Sequence, residues 1–261
     1  GLEVNNTGVD VSLAAQILPQ GPQQLGWLFT GNFNYNKNEL AALPGGLTDV
    51  EIGNTRLVVG KPIDAFWVLK NNGIYNSDAE VPQNPATNAP ITYKGVPLKA
   101  GDPRWVDVNG DNPNNDDDKV LEGNYMPRIS GGFGSSLTYK DFSLDFQFYY
   151  ALKRNALNQY AASRLDFINT EVNNNINSVK EITFWERKQD LSEYPVYNPW
   201  SAVVPYRQDQ DIFLDNASYL KLRSLSIGYD LSGNGTRTAF KKCLLYVTGT
   251  NLFNISPYKG E

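Results

Sequence analysis

Histidine is absent from this sequence, and cysteine and methionine occur once each in 261 residues. Without histidine there is no imidazole general base, no Ser-His or Cys-His nucleophile pair and no imidazole ligand for a metal. The single cysteine, Cys243, has no partner for an internal disulfide or for a cysteine-rich zinc site. The protein is therefore predicted not to be an enzyme, apart from the carboxylate chemistry of glycosidases, which needs neither residue.

Positive charge and long apolar runs are also scarce. Lys and Arg number 23 against 28 Asp and Glu, and no basic stripe is present to replace the counterions of a phosphate backbone. Nucleic acid is thus not an expected partner. A transmembrane helix needs about 18 consecutive apolar residues, and the sequence contains no apolar run of that length. Because barrel strands alternate in polarity and produce no such run, a membrane location stays open.

Alternation of apolar and polar residues is the strongest signal that the sequence does contain. In ISGGFGSSLTY and FSLDFQFYYAL, which Lys140 and Asp141 separate, every second residue belongs to the same polarity class with few exceptions. The alternating segments pair as 9–17 with 25–36, 129–139 with 142–152, and 217–232 with 241–255. Period-two alternation broken by a short turn predicts strand–turn–strand pairs.

The composition of the two faces separates the alternatives for these strands. The non-apolar face carries Gly, Ser, Thr, Asn and Gln rather than Lys and Glu, and aromatic residues gather near strand ends, for example at Tyr35, Tyr139 and Phe142. Aromatic girdles around an apolar band, with small polar residues facing a wet lumen, are typical of a membrane barrel. A soluble all-β sandwich also alternates in polarity, and it stays open as the second fold.

Connection lengths favour the barrel. Short turns at 18–23, 140–141 and 232–240 alternate with long stretches at 38–60, 71–128 and 154–214. Compact soluble domains seldom contain such long loops, whereas outer-membrane barrels have short periplasmic turns and long external loops. The predicted fold class is all-β: an antiparallel transmembrane β-barrel segment of about seven or eight strands with long extracellular loops.

The acidic stretch VDVNGDNPNNDDDKV has the oxygen spacing of a twelve-residue calcium loop. The predicted ligand side chains are those of Asp107, Asn109, Asp111, Asn115 and Asp118. Asn112 stands where an EF-hand has Gly, and no amphipathic helical segments flank the loop, so an EF-hand pair is not predicted. Calcium is a candidate cofactor, and a solvated Asn/Asp turn is the alternative.

Several blocks of the sequence share one resemblance. The block AGDPRWVDVNGDNPNNDDDKVLEGNYMPRISGGFGSSLTYKDFSLDFQFYY resembles the "NGDG … IGN-x-x-P" block, with the strand pair after it, of one family, the SusC/RagA-type TonB-dependent outer-membrane transporters. DNASYLKLRSLSIGYDLS and LYVTGTNLFNISPYKGE resemble two of its later strands, and TGVDVSLAAQI and VGKPIDAFWVLKNNGIY fit two earlier blocks. The resemblance implies that residues 1–261 are a C-terminal part of the barrel, without the plug, the early strands and the last strand, and with external loops at 71–128 and 154–214.

The same resemblance implies a function. Such transporters import oligosaccharides or peptides across the bacterial outer membrane, together with a SusD-type surface lipoprotein and with the TonB complex acting through the plug, while outer-membrane lipid surrounds the barrel. Rings in the second long loop are candidate contacts for substrate or lipoprotein, because sugars and peptides stack on aromatic side chains. They are Trp185, Tyr194, Tyr197, Trp200 and Tyr206, with loop packing as the alternative. Trp67 and Trp105 are predicted to be packing residues.

Two other functions remain open at this stage. One is a soluble secreted all-β glycan-binding module whose loop is stabilised by calcium. The other is a glycosidase that uses a carboxylate pair such as Asp166 and Glu186, although nothing in the sequence places these two residues close together.

Overall fold

The structure, a computed structural model, describes residues 1–21, 24–163, 203–204, 207–233 and 243–258. Nearly all of its regular structure is β. The strands are β1 (Glu3–Leu18), β2 (Leu25–Ala42), β3 (Asp49–Ile52), β4 (Thr55–Val58), β5 (Phe66–Leu69), β6 (Asn71–Ile74), β7 (Thr92–Tyr93), β8 (Val96–Pro97), β9 (Pro103–Trp105), β10 (Pro113–Asn114), β11 (Lys119–Glu122), β12 (Ile129–Tyr139), β13 (Phe142–Leu152), β14 (Asn155–Leu157), β15 (Leu214–Asn216), β16 (Tyr219–Asp230) and β17 (Leu244–Ile255). Short 3₁₀ turns lie at Pro44–Gly46, Asp78–Glu80, Asp116–Asp118, Asp211–Phe213 and Leu231–Gly233, and residues 159–163 are helical. Within the described ranges, no helix has the length and apolar character that a membrane span requires.

Six long strands form one antiparallel sheet, termed here the wall sheet. Its order is β1-β2-β12-β13-β16-β17, and every neighbouring pair is antiparallel. These are the six alternating segments, and β12 and β13 have the predicted bounds. The strands contain 11 to 18 residues, longer than the usual five or six of a globular sheet. The fold class is confirmed, with six wall strands in the described part against about seven or eight expected.

The register of the wall sheet sorts its side chains into two faces. Ser12, Asn32 and Gly132 lie in one row of partners, and the next row contains Leu13, Gly31 and Phe133. We name these the polar face and the apolar face. Side chains of the apolar face stand exposed, for instance Leu13 at 57% and Val247 at 74%. A continuous exposed face of this kind needs an apolar environment around it.

Aromatic residues border the apolar face at the end of the sheet that carries the short turns. Tyr139, Phe142 and Tyr229 are partners in adjacent strands, and the rings of Phe142 and Tyr229 lie 4.7 Å apart. At the opposite end, Tyr35 pairs with Ile129 on the same face. Amphipathic rings at both borders of an apolar band are the arrangement of a barrel wall at the two membrane interfaces.

Three polar side chains on the apolar face are hydrogen-bonded within the protein. The Trp27 indole N–H donates to the Ser135 hydroxyl at 2.7 Å, and that hydroxyl donates to the carbonyl of Leu28 at 3.3 Å. The Tyr150 hydroxyl donates to the Asn32 carbonyl at 3.1 Å. In a hydrocarbon environment no water replaces such bonds, so internal pairing keeps these three side chains compatible with lipid.

Both long connections leave the wall sheet at the end away from the short turns, and they build a second core. The connection from β2 to β12 carries strands β3 to β11, and residues 71–128 are therefore folded rather than irregular. The buried residues of this external core are Leu69, Tyr75, Val81, Ile91, Tyr93, Leu98, Trp105 and Val203. Val203 comes from the other connection, between β13 and β16. Trp67 and Trp105 are 5% and 2% exposed, which confirms them as packing residues.

Candidate functional site

Small side chains leave open space on the polar face. Thr30, Gly134 and Gln147 lie in one row of partners, and a pocket of about 410 Å³ extends along this part of the sheet. A β-carbon at Gly134 would lie 3.2 Å from the Gln147 side chain, so a larger residue there would narrow the pocket. The polar face can therefore hold water or a ligand close to the backbone of the sheet.

Hydrogen bonds order the amides on this face. Asn34 donates to the Asp10 carboxylate at 2.6 Å, and the Asn32 side-chain oxygen accepts from the Gly132 amide at 2.6 Å. In neighbouring β16 and β17, the Ser226 and Thr248 hydroxyls lie 2.8 Å apart. The face thus presents ordered amide and hydroxyl groups, which suit hydroxyl-rich or peptide ligands in water.

A β-bulge in β16 changes which side chains reach the polar face. Leu222 pairs with Phe148 and Ser224 pairs with Gln147, so Arg223 is an extra residue without a partner in β13. As a result Arg223 and Ser224 both belong to the polar face, while the leucines before and after them stay on the apolar face. The signal was present in the sequence, because the apolar positions change from even numbers at 220 and 222 to odd numbers at 225 and 227.

A short strap, residues 207–211, fastens the second long connection to the external core. Gln210 is fully buried, and its side-chain oxygen accepts from the Trp105 indole at 2.7 Å and from the Asn71 amide group at 3.1 Å. The backbone N–H of Leu69 donates to the carbonyl of Asp209 at 2.9 Å. These bonds join residues that are more than a hundred positions apart and give the external loops a defined arrangement.

Arg207 is the centre of a charged cluster beside the strap. Its guanidinium makes a two-pronged pair with Asp209 at 2.5 and 2.6 Å and donates to Asp116 and to the Tyr93 hydroxyl, each at 2.5 Å. Lys119 lies 2.7 Å from the Asp209 carboxylate. Burial by itself raises the pKa of Asp209, but the bonds from Arg207 and Lys119 outweigh it and lower the pKa to about 2. The pKa of Asp116 is lowered as well, since its bond to Arg207 opposes the effect of burial.

The predicted calcium loop is closed by its own hydrogen bonds. The Asp107 carboxylate accepts from the amides of Gly110 at 2.6 Å and Asn112 at 3.1 Å. The buried Asp118 carboxylate accepts from the amides of Val108 and Asn115, each at 2.9 Å. Burial raises the pKa of Asp118 despite these bonds.

Within the same loop the Asn109 side-chain oxygen accepts from the Asp111 amide at 2.9 Å, which is the two-residue spacing of an Asx turn. Among the residues that the structure describes, no three Asp, Glu or Cys side chains form a group that could hold a metal. Calcium binding by Asp107, Asn109, Asp111, Asn115 and Asp118 stays a prediction.

The predicted ring contacts fall elsewhere. Trp185, Tyr194, Tyr197, Trp200 and Tyr206 lie outside the described residues, as do Asp166 and Glu186. Two features were not predicted from the sequence: Arg223 at the bulge in β16, and the cluster around Arg207. The cluster had no local signal, because Tyr93, Asp116 and Arg207 are far apart in the chain.

Three curated proteins are similar to this chain over most of its length. TonB-dependent receptor P26 of Formosa agariphila is 25% identical over 254 residues, which cover 88% of this chain and 23% of that protein. TonB-dependent receptor P3 of the same organism is 24% identical over 99% of this chain and 25% of its own length. TonB-dependent receptor SusC of Bacteroides thetaiotaomicron is 24% identical over 98% of this chain and 24% of its own length. The chain thus spans about a quarter of these relatives, and no protein-family model matches it.

Solved structures agree on the fold. The RagAB peptide transporter superposes with a TM-score of 0.71 at 23% identity, over 98% of this chain and 26% of that one. The RagAB peptide importer in its open-open state gives a TM-score of 0.68 at 23% identity, over 99% and 26%. At this identity the likeness concerns the architecture, and it covers both the wall sheet and the connections described here.

Proposed function

Since this chain is a segment of a SusC/RagA-type TonB-dependent receptor, matching about a quarter of its relatives' length, we propose that it forms wall strands and external loops of an outer-membrane nutrient importer. The observation that carries the proposal is the division of the wall sheet into an exposed apolar face and an exposed polar face. A soluble sandwich would cover its apolar face with a second sheet. In the proposed importer, lipid contacts the apolar face and the polar face lines a hydrated lumen.

The outer strands of the wall sheet support the same proposal. In the described part, β1 and β17 each pair with one neighbour only. A membrane offers no water to satisfy the backbone groups of such edges, so both strands require further strands of a larger closed barrel. The wall described here is then one sector of that barrel.

The external core and the strap would act as the substrate-side cap of the importer. They hold two long connections together above the same end of the wall, where a SusD-type surface lipoprotein would dock and where an oligosaccharide or a peptide would enter. Energy would come from the TonB complex through the plug. The five loop rings at 185–206 remain proposed contacts for substrate or lipoprotein, because aromatic faces suit both ligand classes.

Site-directed fluorescence quenching tests the wall assignment. In a Cys243→Ser background, bimane is attached at Ser226→Cys on the polar face or at Ile227→Cys on the apolar face, in the receptor that carries this chain, reconstituted in lipid. Spin-labelled lipid should quench the probe at 227, and aqueous iodide the probe at 226. The two positions are adjacent in β16, so each serves as the control for the other.

The outcomes separate the candidate functions. A soluble glycan-binding module would show no lipid quenching at either position. Equal lipid quenching at both positions would contradict a wall with one wet face.

A further inference from the structure

The polar face of the wall sheet carries two basic side chains, and they lie together. Register places Lys221 in the row of Tyr149, and the bulge adds Arg223 two positions further along β16. They are the only Lys or Arg on the polar face of the six strands that the structure describes. All other polar-face positions of these strands are neutral or acidic, so the pair is a local concentration of positive charge.

Neither cation has a carboxylate partner among the described residues. Salt bridges there occupy the external loops and strand ends, and none includes Lys221 or Arg223. The nearest acid on the polar face by register is Asp145, which pairs with Ser226, three positions from Arg223. At roughly 3.3 Å per residue this separation is about 10 Å, too far for an ion pair.

The groups around the two cations form a pocket suited to an anion. The pocket measures about 270 Å³ and is lined by Tyr149, Tyr219, Lys221, Arg223 and Asn251. Every lining side chain has an N–H or O–H donor and none is acidic. Asn251 lies in the left-handed region with φ 54°, opposite the bulge, where β17 is also irregular. Both strands are thus distorted at one place, and bulges commonly redirect side chains at functional sites.

We propose that this pocket, termed the lumen cation pocket, binds a carboxylate group of the imported substrate. The guanidinium of Arg223 would take the two carboxylate oxygens in its planar fork, Lys221 would add a second positive charge, and the tyrosines would flank the remainder of the ligand. A carboxylate can come from an acidic peptide or from a uronic-acid oligosaccharide, and the pocket chemistry is the same for both. The inference rests on the proposed function, because it requires the polar face to line the lumen.

Isothermal titration of the detergent-purified receptor that carries this chain tests the pocket. Four probes are compared at 50 mM salt: trigalacturonate against galactotriose, and a capped Gly-Asp-Gly-Asp-Gly peptide against its Asn counterpart. For at least one of these two sources, the anionic probe should bind ten-fold or more tightly than its neutral counterpart. The source that shows this preference identifies the substrate class. Affinity for that probe should fall when salt rises to 500 mM, since partly exposed charges are screened.

Variants assign the effect to the pocket. Arg223→Gln should weaken binding of the preferred anionic probe about ten-fold or more, and Arg223→Lys should weaken it less. Lys140→Gln removes one positive charge from the turn between β12 and β13 and should change nothing. Circular dichroism and heat-modifiable gel mobility check that every variant is folded.

Two results would overturn the inference: equal affinity for anionic and neutral probes from both sources, or an unchanged affinity in Arg223→Gln. Either result together with normal lipid quenching at 227 leaves the wall assignment intact. Loss of the quenching pattern itself would instead contradict the proposed function.

Discussion

Removing the Arg207 guanidinium should loosen the strap from the external core. Arg207 is 13% exposed and Asp209 is 26% exposed, so the Arg207→Gln variant leaves a largely buried carboxylate short of its main partner. Breaking a buried pair in this way typically costs about 3–5 kcal/mol. Lys119 still lies 2.7 Å from Asp209, and some solvent reaches it, so we expect about 2–3 kcal/mol for local opening.

Hydrogen exchange measures this opening directly. The Leu69 amide donates to the Asp209 carbonyl and the Asn71 amide to the Asp211 carboxylate, both at 2.9 Å, so each exchanges when the strap detaches. An opening cost lower by about 2–3 kcal/mol speeds their exchange roughly 30- to 150-fold. Amides of β12 serve as internal controls, because the wall sheet does not depend on the strap.

Arg56→Gln is the matched control variant. Arg56 pairs with Asp49, but both side chains are more than a third exposed, and such pairs contribute less than about 1 kcal/mol. The double variant Arg207→Gln with Asp209→Asn should recover part of the protection, since it removes the unpaired charge. If Arg207→Gln speeds exchange at Leu69 no more than Arg56→Gln does, the cluster does not hold the strap and the reasoning is wrong.

Three further predictions concern acid, a glycine and calcium. The pKa of Asp209 is about 2 in the folded protein against an ordinary value of 3.8, so its stabilising effect is complete above about pH 5 and is lost as the pH falls from 4 to 2. Protection of the Leu69 amide, corrected for intrinsic exchange, should follow this course, and Asp209→Asn should leave only the part of the pH dependence that comes from Asp116. Gly131→Ala should reduce the denaturation temperature of the receptor, because a β-carbon at this position would lie 2.6 Å from the Tyr150 hydroxyl and would meet the Asn32 carbonyl. Ser136→Ala on the same strand is the control and should change the denaturation temperature little. Equal denaturation temperatures for the two variants would contradict the close packing at Gly131. If the loop at 107–118 binds calcium, it should also bind terbium, giving luminescence sensitised by Trp105 that calcium abolishes by displacing the terbium. The double variant Asp107→Ala with Asp111→Ala should show no such luminescence. Equal luminescence in the variant and the parent would contradict calcium binding by this loop.

The wall could be predicted from the sequence because its signal is local. Each strand repeats every two residues, and a sheet with an apolar face on one side and a polar face on the other imposes that repeat on every strand separately. The segments 129–139 and 142–152 are therefore correct to the residue. The change in parity between Leu222 and Leu225 is equally local, and it marks the bulge once alternation is followed along the whole strand.

The external core could not be predicted in the same way. Its contacts join residues such as Trp105 and Gln210 across 105 positions, and its strands of two to four residues are too short to show a period. The sequence there contains turn residues and isolated charges, which describe a loop equally well. Only the folded chain brings Tyr93, Asp116 and Arg207 into one cluster.

Because of the extra residue in β16, the number of residues in this strand does not by itself decide which face its later side chains occupy. In a regular strand, inserting one residue would turn every later side chain to the opposite face. Here the bulge absorbs the insertion, and leucines on both sides of it keep facing outward. Because Leu222 and Leu225 both stay on the apolar face, the residue at 223 adds a side chain to the polar face without reversing the rest of the strand. One extra residue in β16 thus decides whether this place on the polar face carries a charged side chain, and β17 accommodates it with an irregularity of its own directly opposite.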